Sequence, residues 1–164
     1  CWGDDDADVA ANLKLWADHT VGPLKLAGVK KLTQFALHDE LGWSYPGIWK
    51  GPENVSGHPS VFARFHEYIK NSSGLKTPEE FGAATWAEVV PISTANLTKA
   101  DGKHLAGLQQ RLYWSMRFAV WDVTHFYSQA TAALVKANGG EPFSICEYQL
   151  IHCTRQTLDL SLCH

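Results

Sequence analysis

The chain has 164 residues, 45% of them hydrophobic and 19% charged, and a net charge of −3. That length suits one domain with a real hydrophobic core, and the apolar content excludes global disorder. An acidic balance lacks the basic footprint that general nucleic-acid binding needs, and no uninterrupted apolar run reaches the ~18 residues of a membrane span.

Asp4, Asp5 and Asp6 open a helix running to about His19, since carboxylates are favoured at the positive end of a helix dipole. Val9, Leu13 and Trp16, with Ala10 and Ala17, form its inner stripe. Gly22-Pro23 is read as a break, followed by a second helix from Leu24 to Leu41 with Gly42 as its C-cap. Residues 43–58 read as a long loop in which Trp43, Tyr45, Ile48 and Trp49 argue against disorder. A third helix fits Pro59 to Lys70, with Phe62, Phe65 or His66, and Ile69 inward. Thr77-Pro78-Glu79-Glu80 is a capping-box signature opening a helix that Phe81, Ala84, Thr85 and Val89 carry to Pro91.

Thr98 or Asp101 then starts a central helix reaching Lys136, with Gly107 as a candidate break and Asn138-Gly139-Gly140 as the stop. Its inner stripe is Leu105, Leu112, Met116, Ala119, Val123, Phe126, Ala130, Ala133 and Ala137. Trp114, Phe118, Trp121 and His125 form a second stripe. The expected fold is all-α: one domain over residues 1–164, five or six helices around a long central one. An aromatic loop and a cysteine-containing tail, residues 141–164, pack on it.

The four cysteines are Cys1, Cys146, Cys153 and Cys163. Their spacing matches neither a zinc knuckle nor a C-x-x-C redox pair, so two disulfides are the expectation. Cys146 and Cys153 in one unbroken helix would stand ~10.5 Å apart along the axis, too far to bond. In that case Cys1 staples the N-terminus to one of the three C-terminal cysteines. Three N-x-[ST] sequons, at Asn54, Asn71 and Asn96, support secretion and glycosylation. The chain opens on Cys1 with no leader, so it is read as a mature form. A lipid-attachment role for Cys1, or a cytosolic chain with four free thiols, are the competing readings.

Asp122 and His125, three residues apart, are the candidate catalytic pair, because a carboxylate beside an imidazole can orient it as a general base. A buried pair satisfying each other is the plainer reading. No H-E-x-x-H motif occurs, and His38, His66 and His125 are only weak metal candidates, so neither metal nor cofactor is expected. The acidic start fails as a calcium loop, with Val9 where Gly is needed and Leu15 where Glu should close the site. No nucleophile elbow or phosphate loop is present. Trp43, Tyr45, Trp49, Trp114, Phe118 and Trp121 are the candidate ligand-binding aromatics, since such rings bind with little entropy cost. The preferred reading is a secreted, non-catalytic helical binding protein for an apolar small molecule or an extracellular protein surface. The alternative is a small secreted hydrolase using His125 with Asp122, with or without a metal.

Overall fold

The computed structural model describes residues 6–35, 59–99 and 102–145. Helix α1, Asp6–Leu26, places Val9, Leu13, Ala17 and Val21 at intervals of four on one face, each 5% exposed or less. It does not stop at Gly22-Pro23. Pro23 lies in the last turn, so only the final residues of the helix follow it, and its carbonyl accepts from the Ala27 N–H at 3.0 Å. The stop comes at Gly28, whose φ of 89° is the left-handed conformation a helix terminus needs. There the Gly28 N–H donates to the Lys25 carbonyl and the Val29 N–H to the Leu24 carbonyl, the two bonds of a Schellman cap. Residues 29–33 are not helical, and strand β1, Gln34–Phe35, follows. The helix expected over 24–41 is therefore absent from 27–35, and its remainder with Gly42 lies outside the described residues.

Helix α2, Pro59–Ser72, buries Val61, Phe65 and Ile69 completely. Val61 takes the inward position expected of Phe62, which is half-buried. The capping box forms as read: the Glu80 carboxylate accepts from the backbone N–H of Lys76 at 2.7 Å and of Thr77 at 2.8 Å. It opens only one 3-10 turn, Pro78–Phe81, ended by Gly82 at φ 66°. The reason is a backbone-on-backbone contact. A Cβ on Gly107 would stand 2.2 Å from the Gly82 nitrogen and 2.5 Å from its Cα, so this turn rests directly on the central helix. Further 3-10 turns, Trp86–Glu88 and Thr94–Lys99, lead on to that helix.

Helix α3, Gly102–Ala137, has 36 residues, about 54 Å at 1.5 Å per residue, and passes Gly107 unbroken. Gly107 is there for the approach of Gly82 and not for a bend. Asn138-Gly139-Gly140 ends α3 as read, with a second Schellman pair from Gly139 N–H to the Lys136 carbonyl and Gly140 N–H to the Val135 carbonyl. The Asn138 carboxamide then accepts from the Leu32 N–H and donates to the carbonyls of Leu32 and Glu141, tying the segment after α1 to the end of α3. Strand β2, Ser144–Ile145, pairs parallel with β1, Gln34 opposite Ser144 and Phe35 opposite Ile145.

The fold is all-α, and the long α3 organises it. Val9 and Leu13 of α1 meet Ala130, and Ala17 and Val21 meet Leu134, so contacts advance together along the two helices. On the other half of α3, Val61, Phe65, Ile69, Phe81, Val89 and Phe118 form an aromatic cluster. Among the described residues there are three α-helices and three 3-10 turns, and no helix is long and apolar enough to cross a membrane. The four cysteines, the aromatic loop 43–58 and tail residues 146–164 lie outside the described residues.

One expected stripe is corrected. Met116 is 38% exposed, whereas Arg111, Ser115, Asp122 and Asn138 are buried beside Leu108, Phe118, Ala130 and Leu134. Polar side chains take inward positions on α3 because neighbouring turns offer backbone groups, and α2 a guanidinium, for them to bond.

Candidate functional site

Asp122 and His125 both line a shallow cleft of about 210 Å³, counting space open to solvent, with Asp6, Val9, Arg64, Phe126 and Gln129. Their roles in it diverge. The Asp122 side chain is 2% exposed and takes the Arg64 guanidinium on both oxygens, Nε to Oδ1 at 2.7 Å and Nη2 to Oδ2 at 3.3 Å. A buried carboxylate held this way is an ion-pair anchor between α2 and α3.

His125 is 34% exposed and lies flat against Trp121, with ring centroids 5.1 Å apart and planes 4° apart. Its Nε2 meets the Gln129 amide nitrogen at 2.7 Å and Asp6 Oδ1 at 3.3 Å. One nitrogen cannot accept from the amide and donate to the carboxylate together. Neutral His125 with its proton on Nδ1 accepts from Gln129, and protonated His125 makes the ion pair with Asp6. The carboxylate that meets the imidazole is thus Asp6 on α1, 119 positions away, whereas Asp122 on its own helix binds Arg64.

His66 Nε2 bonds the Val89 carbonyl at 2.7 Å, so this histidine tethers α2 to the chain after the Trp86–Glu88 turn. His38 lies outside the described residues. Among the described residues no group of three or more His, Cys, Asp or Glu side chains is placed to hold a metal.

Phe118 is fully buried, its ring 5.2 Å from Phe65 and 5.7 Å from Tyr68. Trp121 stacks on Phe118 at 5.8 Å, and Trp114 meets Tyr68 edge-on at 6.2 Å; both tryptophans are half-buried. Phe118 is therefore core, and the two tryptophans border it. Trp43, Tyr45 and Trp49 lie outside the described residues. Of the sequons, Asn71 is exposed in the last turn of α2. Asn96 is half-buried, its Oδ1 accepting from the Ser93 N–H at 2.9 Å, and Asn54 lies outside the described residues.

A second feature sits on the outward face of α3. Tyr113 is 51% and Met116 38% exposed, and Arg117 beside them is exposed with its guanidinium carbon 5.6 Å from the Tyr113 ring centre. The (i, i+3, i+4) spacing of Tyr113, Met116 and Arg117 is legible in sequence, but counting Met116 as core hid it. Arg64, Asp6 and Gln129 carried no comparable signal, because partners from different helices leave no local spacing. No family model, curated protein or solved structure matches the chain.

Proposed function

We propose that the protein is a secreted, non-catalytic helical binding protein whose ligand is another extracellular protein, engaged through the outward face of α3. The observation that carries this reading is the exposed trio Tyr113, Met116 and Arg117 on the longest helix. Tyr, Met and Arg are enriched where proteins meet, and Tyr and Arg dominate binding energy there. The even cysteine count and the exposed sequon at Asn71 support the extracellular setting. A protein surface suits this face better than an apolar small molecule, which needs an enclosing pocket; the cleft at Asp122 is shallow and open to solvent.

The hydrolase reading retains one supporting observation, a partly exposed His125 on an open cleft, but its acid is committed to Arg64. The test compares three immobilised proteins in conditioned medium: wild type, Tyr113→Ala/Arg117→Ala and His125→Asn. The proposal expects one species held by wild type and His125→Asn and lost from the double variant at unchanged melting temperature. Loss from His125→Asn alone would move the function to the cleft and sink the proposal.

A further inference from the structure

Helix α3 carries a single carboxylate, Asp122, and that one is buried against Arg64. The solvent face of a 36-residue helix thus bears no negative charge, in a chain whose net charge is −3. Arg117 projects from this face and has no carboxylate partner among the described residues. Its guanidinium rests on the Tyr113 ring beside the Tyr68 and Tyr113 hydroxyls, which fixes the planar fork before any partner arrives; of its five N–H donors, those not turned to the two hydroxyls face an incoming acceptor. Beside it Tyr113 and Met116 offer a rigid ring and an adaptable thioether.

We infer that the partner presents an acidic amphipathic helix, its apolar side chains on Tyr113 and Met116 and a Glu or Asp carboxylate on Arg117. This rests on the binding reading above and adds the partner's chemistry. A second copy of the chain fits the same face less well. A two-fold contact is self-complementary, so α3 against α3 would bring two Arg117 side chains into one seam with no exposed carboxylate from either helix. An acidic partner instead gains the charge-assisted pair and is steered to this face.

Met116 is the only methionine in the chain, so a 13C-methyl methionine label reports this face alone. The labelled full-length protein is titrated with a synthetic amphipathic helical peptide carrying Leu and Phe on one face and Glu flanking it. Matched peptides with Gln or Lys in place of Glu are run beside it. The Met116 methyl signal is expected to shift with the Glu peptide at least fivefold more tightly than with the Gln peptide, and not with the Lys peptide. Arg117→Gln is expected to erase the difference between Glu and Gln. Equal binding of all three peptides overturns the acidic preference while the docking face stands. No shift with any peptide overturns both the preference and the docking face. A shift that follows protein concentration without peptide assigns the face to a second copy and overturns the inference.

Discussion

The two halves of α3 are held by different physics. Toward its C-terminus α3 meets α1 through Val9, Leu13, Ala17 and Val21 against Ala130 and Leu134, a seam of aliphatic and alanine side chains that lets two helices approach closely. Toward its N-terminus it meets α2 and the 3-10 turns through Phe65, Phe81, Phe118, Tyr68, Trp114 and Trp121. Short turns leave backbone groups without helical partners, and α2 and α3 supply them. Ser115 Oγ accepts from the Ile92 N–H at 3.0 Å, Arg111 donates to the Glu88 carbonyl, and His66 bonds the Val89 carbonyl. Burial in this setting pulls the Arg111 guanidinium below its ordinary pKa, with the charge of Glu88 opposing. The aliphatic half thus needs volume matched at each step, and the aromatic half needs its polar pegs as well. Arg64–Asp122 stands where the two meet.

That junction should show the largest effect. Asp122→Ala leaves the Arg64 charge nearly buried, 12% exposed, without its carboxylate, and is expected to cost about 3–5 kcal/mol in urea unfolding. The double variant Arg64→Leu/Asp122→Leu should recover most of that loss, since removing both charges leaves neither stranded. A double variant as unstable as Asp122→Ala would show that the pair does more than cancel its own charge.

Within each half, opposite changes should do the damage. Phe118→Ala removes a fully buried ring and should cost about 3–5 kcal/mol, while Ala17→Leu at 1% exposure should overpack the α1 seam by about 1–3 kcal/mol. Gly107→Ala is predicted to lose about 1–3 kcal/mol by overpacking, although alanine favours a helix by up to ~1 kcal/mol over glycine. The cause is the 2.2 Å that its Cβ would leave to the Gly82 nitrogen, backbone that no side-chain rotation can relieve. Chemical denaturation of the three variants orders them. A neutral Gly107→Ala would mean that the turn moves off α3 without loss.

The sequence disclosed what is encoded locally. The span of α2, the Thr77–Glu80 box and the Asn138–Gly140 stop are each written within a few residues, as capping chemistry is. Contacts across the chain were illegible. Gly22-Pro23 looks like a break, yet α1 runs through it, because continuing the apolar face to Val21 keeps contact with Leu134. Gly82 truncates its helix for Gly107, and neither glycine announces the other. At the candidate site the spacing of Asp122 and His125 marks both residues but not the groups they meet. Helical spacing placed them side by side, but Arg64 and Asp6 arrive from helices whose register only the fold sets. Stripe spacing places Met116 in the core, because an apolar residue in that register carries no mark of its own exposure.

The smallest effect separates the halves by salt. Glu80, in the aromatic half, has its carboxyl pKa lowered from 4.5, chiefly by the backbone N–H groups of Lys76 and Thr77. Asp18 and Glu141, in the aliphatic half, are lowered chiefly by hydrogen bonds from the ammonium groups of Lys14 and Lys31. In all three the folded form binds its proton less readily than the unfolded chain. Each therefore contributes stability above the ordinary carboxylate pKa and loses it as pH falls through the lower folded value. Salt screens ammonium charges on an exposed surface, whereas an N–H dipole fixed in a capping turn is not removed by counterions. Carboxyl 13C titrations at low and high salt should show Asp18 and Glu141 returning toward their ordinary values while Glu80 keeps its depression. If Glu80 moved with the other two, the neighbouring Lys76 charge and not the capping geometry would hold it, and the turn on Gly107 would lose its local anchor in brine.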